Sequence, residues 1–281
     1  MIIKIFEFIL SIFVFVSAIF LIFSILTYMF FWYELFNTKK VNIQNNIRKY
    51  KHWITKGIIN NFIYLWYVTI CYPFNLFIPS TIKLNTNGDL TIVLVHGLFH
   101  NKTAWIYFVN KLKRYKNIKN IYILNYNSYK SSFEDIDKLI KQKIIEICSQ
   151  NDKIILIGHS LGGLFCYSIG KDLNICNHIK AIITLGTPYS GSKLAAFGIS
   201  KLAKQLKYNG RLINNLKNNY TSIHITGYVF YSPIDNLVLP NSSLKSPIKS
   251  WVEIITNPIS HIAMLYNKRI IDLIIKILSK V

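Results

Sequence analysis

The pentapeptide Gly158-His159-Ser160-Leu161-Gly162 sets a serine between two glycines, after the apolar run KIILIGHS and before a helical pattern. A serine hydroxyl is a weak nucleophile unless a base takes its proton and a third group orients that base. On a sharp strand-to-helix turn the hydroxyl stands clear of the chain, and Gly158 and Gly162 leave room for strand and helix to approach closely. The helix start also turns its dipole toward the site. Such a serine is built for acyl chemistry, provided the rest of the chain supplies its acid and its base.

Acids are scarce here, which makes the search short. A turn of this kind is followed along the chain first by the acid and then by the histidine. After Ser160 the acids are Asp172, Asp235, Glu253 and Asp272, and the histidines are His178, His224 and His261. No histidine follows Asp272, Glu253 points out of a strand pattern, and Asp172 falls in the helix after the turn. Asp235, in YSPIDNLVLP, follows a strand pattern in a loop, where catalytic groups collect in parallel sheets. With Asp235 as the acid, only His261 remains as base, at the start of the last helical pattern in NPISHIAML. His224 alternates within a strand run and reads as structural, while His96 and His159 flank turns. An oxyanion would need backbone N–H donors, one from Leu161 and one from Leu98 in HGLFHN, where Gly97 allows a tight approach.

The elements that would position these residues are legible as alternation. Short apolar runs at 90–97, 120–127, 153–160, 181–188, 221–231 and 250–256 predict strands, and helical patterns lie at about 101–116, 131–149, 161–173, 192–218 and 261–280. Near-continuous Ile, Leu and Val strands separated by helices point to a parallel sheet covered on both faces. The stretch at about 189–220 offers an amphipathic segment that reads either as a small lid or as an ordinary crossover helix.

The first part of the chain is of another kind. Phe8 to Tyr33 runs for 26 residues without a charge, about 39 Å as a helix, enough to cross a bilayer with some tilt. Trp32 and Tyr33 close it where an interfacial aromatic belt would lie. A cleavable signal would have a shorter apolar region and a small-residue site after it, so residues 1–38 are expected to be a retained anchor. Residues 39–56 hold six Lys or Arg and no acid, the pattern of a juxtamembrane segment on an anionic leaflet. Residues 57–82 are again uncharged but are broken by Asn60, Asn61, Pro73, Asn75 and Pro79. They read as interfacial or packed against the domain, and a second crossing would move that domain to the other face. Residues 39–85 thus form a basic and aromatic connection, and 86–281 the catalytic domain.

Composition narrows the partners. Formal charge is +21 over 281 residues, but only four of 33 basic residues are arginine and the lysines are spread through every segment. That distribution forms no nucleic-acid face; anionic lipid headgroups are the better match. Cys71, Cys148, Cys166 and Cys176 have no metal-ligand spacing, Cys148 and Cys166 read as small buried thiols, and a Cys166–Cys176 bridge would require an oxidising compartment.

Taken together, LVHGLFHNKTAW, IGHSLGGL, TLGTPYSGSKLA, DNLV and SHIAML resemble the bacterial lipase and esterase branch of the α/β-hydrolase superfamily, in particular its membrane-anchored proteobacterial members. The resemblance covers about residues 90–280. It implies an α/β fold, a mostly parallel sheet of about six strands covered by helices, behind an N-terminal transmembrane helix. It further implies a Ser160, Asp235 and His261 triad acting on lipid or other small carboxylic esters at a bacterial inner membrane, with no cofactor. Tyr189-Ser190-Gly191 stands where the family generally has His-His-Gly or His-x-Gly, a departure that leaves the triad untouched. Secreted relatives often build a calcium site from aspartates, and this chain has too few acids to match it, so no metal is expected. The same triad would serve an acyltransferase or a thioesterase. A non-catalytic interaction module is the remaining alternative, and the intact order of Ser, Asp and His speaks against it.

Overall fold

Apolar runs of β-branched residues form the centre of a seven-stranded sheet, in the order β1-β3-β2-β4-β5-β6-β7. The structure is a computed structural model and describes residues 1–37, 47–172, 175–218 and 224–281. The strands are β1 (Thr81–Lys83), β2 (Leu90–Val95), β3 (Ile118–Leu124), β4 (Ile154–His159), β5 (Ile179–Leu185), β6 (Thr226–Tyr231) and β7 (Val252–Ile255). All neighbouring pairs are parallel except β1 and β3. β2 and β4 are buried at every residue, as expected for strands covered on both faces.

Alternation divides the core into two. Val93, Val95, Leu156, Ile182 and Val229 point to one side, where helices α4 (Phe133–Cys148) and α5 (Leu161–Ile169) cover them. Ile92, Leu94, Ile155, Ile157, Ile183 and Phe230 point to the other, beneath α3 (Ile106–Leu112) and α8 (Lys268–Leu278). That is the period-2 geometry of a strand. α4 is typical of the covering helices: Ser132 and Asp135 close a capping box, and Ile136, Ile140, Ile144 and Ile147 bury one face.

Three features differ from the sequence expectation. β1 adds a seventh strand, so the sheet begins before residue 86; three residues at an antiparallel edge carry too little pattern to be recognised. The helical pattern at 192–218 is broken into a 3-10 turn (Lys193–Phe197), α6 (Lys201–Gln205) and α7 (Arg211–Asn218). Gly198 is extended there, and Ser200 starts α6 by capping the N–H of Ala203. The patterns at 101–116 and 261–280 likewise open as 3-10 turns, Lys102–Trp105 and Ile262–Tyr266.

Ahead of the sheet, α1 (Ile2–Asn37) and α2 (Ile47–Cys71) lie antiparallel. Trp66 of α2 stacks on Phe13 of α1 and meets the edge of Phe20, and Gly57 leaves room for the Tyr28 ring. α2 also reaches the domain, where Tyr64 stacks on Tyr266 at 4.9 Å. It takes Arg48, Lys49, Lys51 and Lys56 of the basic run with it, while residues 39–46 of that run lie outside the described residues. α1 is apolar but poorly covered: Phe6 is 65% and Phe15 67% exposed.

Candidate active site

β4 delivers Ser160 at its C-terminal end, in a backbone conformation, φ 53° and ψ −123°, that L-residues avoid. The strain is held from three sides. Ser160 N donates to Leu185 O at 2.8 Å, Gly163 N donates to Ser160 O at 3.0 Å, and Thr187 Oγ1 donates to Ser160 O at 3.2 Å. The glycines are obligatory for sterics: a Cβ on Gly162 would run into the Val95 carbonyl, and one on Gly158 would lie 2.5 Å from Gly162 O.

The acid and the histidine leave neighbouring strand ends. Asp235 sits in the loop after β6, fully buried. Its Oδ1 accepts Leu237 N at 3.0 Å and Val238 N at 2.9 Å, and its Oδ2 lies 2.7 Å from His261 Nδ1. Ser232 ties the two loops together, donating to Ile259 O at 2.6 Å and accepting Ile259 N at 3.2 Å. With Nδ1–H given to the carboxylate, His261 Nε2 is left as the basic nitrogen. The imidazole rests on Gly186, whose Cβ position lies 3.1 Å from the ring. Gly186 follows Leu185, whose carbonyl accepts Ser160 N, so serine and imidazole both lie at the C-terminal end of β5. Ser160 Oγ itself makes no hydrogen bond among the described residues, and contacts of this kind commonly tighten only once substrate is bound.

Leu98 lies in the loop after β2, and Leu161 follows Ser160 in the chain. Gly97 would place a Cβ 3.0 Å from Ser160 Cβ, so the loop after β2 abuts Ser160. The N–H groups of Leu98 and Leu161 donate to no protein acceptor among the described residues, and that of Leu161 opens α5. The other acids and histidines lie elsewhere. His178 ends a 3-10 turn at the N-terminal end of β5, and Asp172 precedes it. His224 stands exposed ahead of β6 and not within a strand. Glu253 is exposed on β7, bonded to Tyr231 and Ser246, and Asp272 is exposed on α8. Cys166 is a free, buried thiol on α5, and the side chain of Cys176, the other half of the bridge considered, lies outside the described residues.

Three further histidines are buried around the serine. His96 donates through Nδ1 to Gly97 O at 2.9 Å and stacks on Tyr126, and burial pushes its pKa down to about 4. Burial, with His96 nearby, pushes His100 down to about 3. His159 donates through Nε2 to His261 O at 3.2 Å, and burial, then the neighbouring His261, hold its pKa well below the usual value. All three are neutral near pH 7. Sequence reasoning missed two positioning contacts. Asn236 Oδ1 accepts His261 N at 3.1 Å, and Thr187 braces the Ser160 carbonyl. Only the adjacency of Asn236 to Asp235 could have hinted at either.

The same fold recurs in solved structures. The mature lipase BlEst2 of Bacillus licheniformis matches with a TM-score of 0.56 at 17% identity, over 67% of this chain and 91% of its own. A monoacylglycerol lipase of Paleococcus ferrophilus matches at 0.54 and 16% identity, over 70% of this chain and 97% of its own. The lin2722 product of Listeria innocua matches at 0.53 and 14%, over 69% and 95%. The chain has the α/β-hydrolase fold. Residues 85–214 also match the family described as "Putative serine esterase (DUF676)", and the protein is an ester-hydrolysing enzyme. The matched stretch holds Leu98, Ser160 and Leu161 and ends before Asp235 and His261. No curated protein sequence matches.

Proposed function

We propose that Ser160 is the nucleophile, His261 the general base and then acid, and Asp235 the group that orients it, in the hydrolysis of lipid-type carboxylic esters. The observation that carries this reading is the Asp235–His261 contact of 2.7 Å beside a serine in a strained turn. His261 Nε2 takes the Oγ proton as Oγ attacks the ester carbonyl carbon. The oxyanion that forms lies against the N–H groups of Leu98 and Leu161. As the carbon–alkoxide bond breaks, the imidazolium returns its proton to the departing alcohol, leaving an acyl-serine. Water then gives a proton to Nε2 and its oxygen to the acyl carbon, releasing the carboxylic acid and the Ser160 hydroxyl.

Exposed apolar surface supports a bilayer as the place of reaction. α1 is long and apolar enough to cross a membrane, and Phe197, 71% exposed, lies 5.7 Å from its Phe30 ring. Leu76 and Phe77 add a further exposed apolar rim, more than a water-facing surface ordinarily carries. Arg48, Lys49 and Lys51 at the start of α2 would then meet anionic headgroups on the cytoplasmic leaflet of a bacterial inner membrane. A fluorophosphonate probe should label the native protein and not Ser160→Ala, and that variant should lose about 10⁶-fold in kcat. Equal labelling of both would remove the assignment. Rates on p-nitrophenyl esters that rise with acyl length, and cleavage of lipid in vesicles, are expected; indifference to both would discard the lipid substrate.

A further inference from the structure

An anchor helix needs no polar face, yet α1 has one. Ser24, Thr27 and Glu34 are buried on it together with Tyr28 and Phe31, at spacings that bring all five to one side. Each polar group has a partner in another element. Ser24 Oγ accepts Asn61 Nδ2 of α2 at 2.9 Å. Both oxygens of Glu34 meet Lys193 Nζ, at 2.8 and 2.9 Å. Thr27 Oγ1 accepts Asn236 Nδ2 at 2.9 Å while donating to Ser24 O at 3.1 Å.

The third contact reaches the site. Asn236 follows Asp235, is fully buried, and uses its Oδ1 to accept the N–H of His261. One side-chain amide therefore joins α1 to the loop of the acid and to the backbone of the histidine. Tyr28 and Phe31 pack with Ile234 and Leu239, gripping that loop on both sides of Asp235.

We infer that Thr27 is a positioning residue of the hydrolase, acting through Asn236 on the Asp235–His261 pair. The N-terminal helix then completes the active site as well as holding the protein at the membrane. The inference rests on the triad reading above. It means that the working enzyme keeps its N-terminal helix, because processing after that helix would strip Asn236 of its partner and bare the loop.

The test uses the full chain in detergent with a short, soluble p-nitrophenyl ester, so that bilayer binding plays no part. Thr27→Val keeps the shape and deletes the hydroxyl. It should lower kcat about tenfold, the effect of one such hydrogen bond, with KM unchanged and the acid limb of the pH profile displaced; Thr27→Ser should restore both. Asn236→Ala should show a loss of similar kind, and the double variant should lose no more than Asn236→Ala alone. A folded Thr27→Val with native kcat and pH profile, or losses that multiply in the double variant, would overturn the inference. If Thr27→Val does not fold, Thr27→Ala takes its place in the same comparison. Ser160→Ala, run in parallel, separates the two readings. An active Ser160→Ala sinks the triad; an inactive one beside a native-like Thr27→Val sinks only the role of Thr27.

Discussion

β4 and α1 are written in nearly the same residues and end in opposite surroundings. IILIGH in β4 is buried at every position, whereas the apolar residues of α1 before Ser24 are mostly exposed. Burying an Ile or Leu side chain contributes about 1.5–3 kcal/mol, so β4 draws its stability from being covered. α1 forgoes that in water and recovers it only in an apolar medium. The contrast teaches that composition sets how much a segment gains from leaving water, while its neighbours decide where it goes. From Ser24 onward α1 changes character, because its polar face finds partners in α2 and in the hydrolase domain.

The contrast can be broken at the core first. Gly162→Ala pushes a methyl into the Val95 carbonyl and should cost about 4–5 kcal/mol, the top of the range for one substitution. A folded, active Gly162→Ala, judged by thermal melting and probe labelling, would mean that the turn is not held as described. Next, Ile157→Ala in β4 should cost about 3 kcal/mol through lost burial and a cavity, lowering Tm by roughly 6–12 °C for a domain of this size.

Acid should act on the buried histidines before it acts on α1. His96 falls from its ordinary 6.5 to about 4 in the folded protein, so between those values the unfolded chain takes up a proton that the folded one refuses. Its contribution is therefore complete above pH 6.5 and is lost as pH falls toward 4. At pH 5 the loss from His96 is about 2 kcal/mol, read as a drop in Tm between pH 7 and pH 5; a flat Tm over that range would contradict its burial. The smallest effect belongs to the outer face of α1. Ile22→Ala, at a position 56% exposed, should change melting in detergent by less than about 0.5 kcal/mol while weakening retention on vesicles. A melting loss as large as that of Ile157→Ala would show that α1 is covered by protein.

Much of the candidate site was legible because its signals are local. Gly158, Ser160 and Gly162 lie within one turn, and the scarcity of acids narrowed the partners to Asp235 and His261, which the fold brings to 2.7 Å. The breaks at Gly198 and Ser200 were not legible, since a run of helix-forming residues keeps its pattern whether or not one turn is interrupted. β1 escaped for the opposite reason, being too short to carry any pattern.

The sequence by itself determined the alternation of strands and helices, the strained serine turn and the apolar stretch at the start. These depend on residues close together in the chain, through β-branching, glycine and hydrophobic period. Only the tertiary structure decided that Thr27 meets Asn236 across 209 residues, or that the rings of His159 and His261 lie 4.8 Å apart. Such contacts carry no period and no local conformational preference. They exist because packing α1 on the loop after β6 buries a polar amide that must find its hydrogen bonds within the protein.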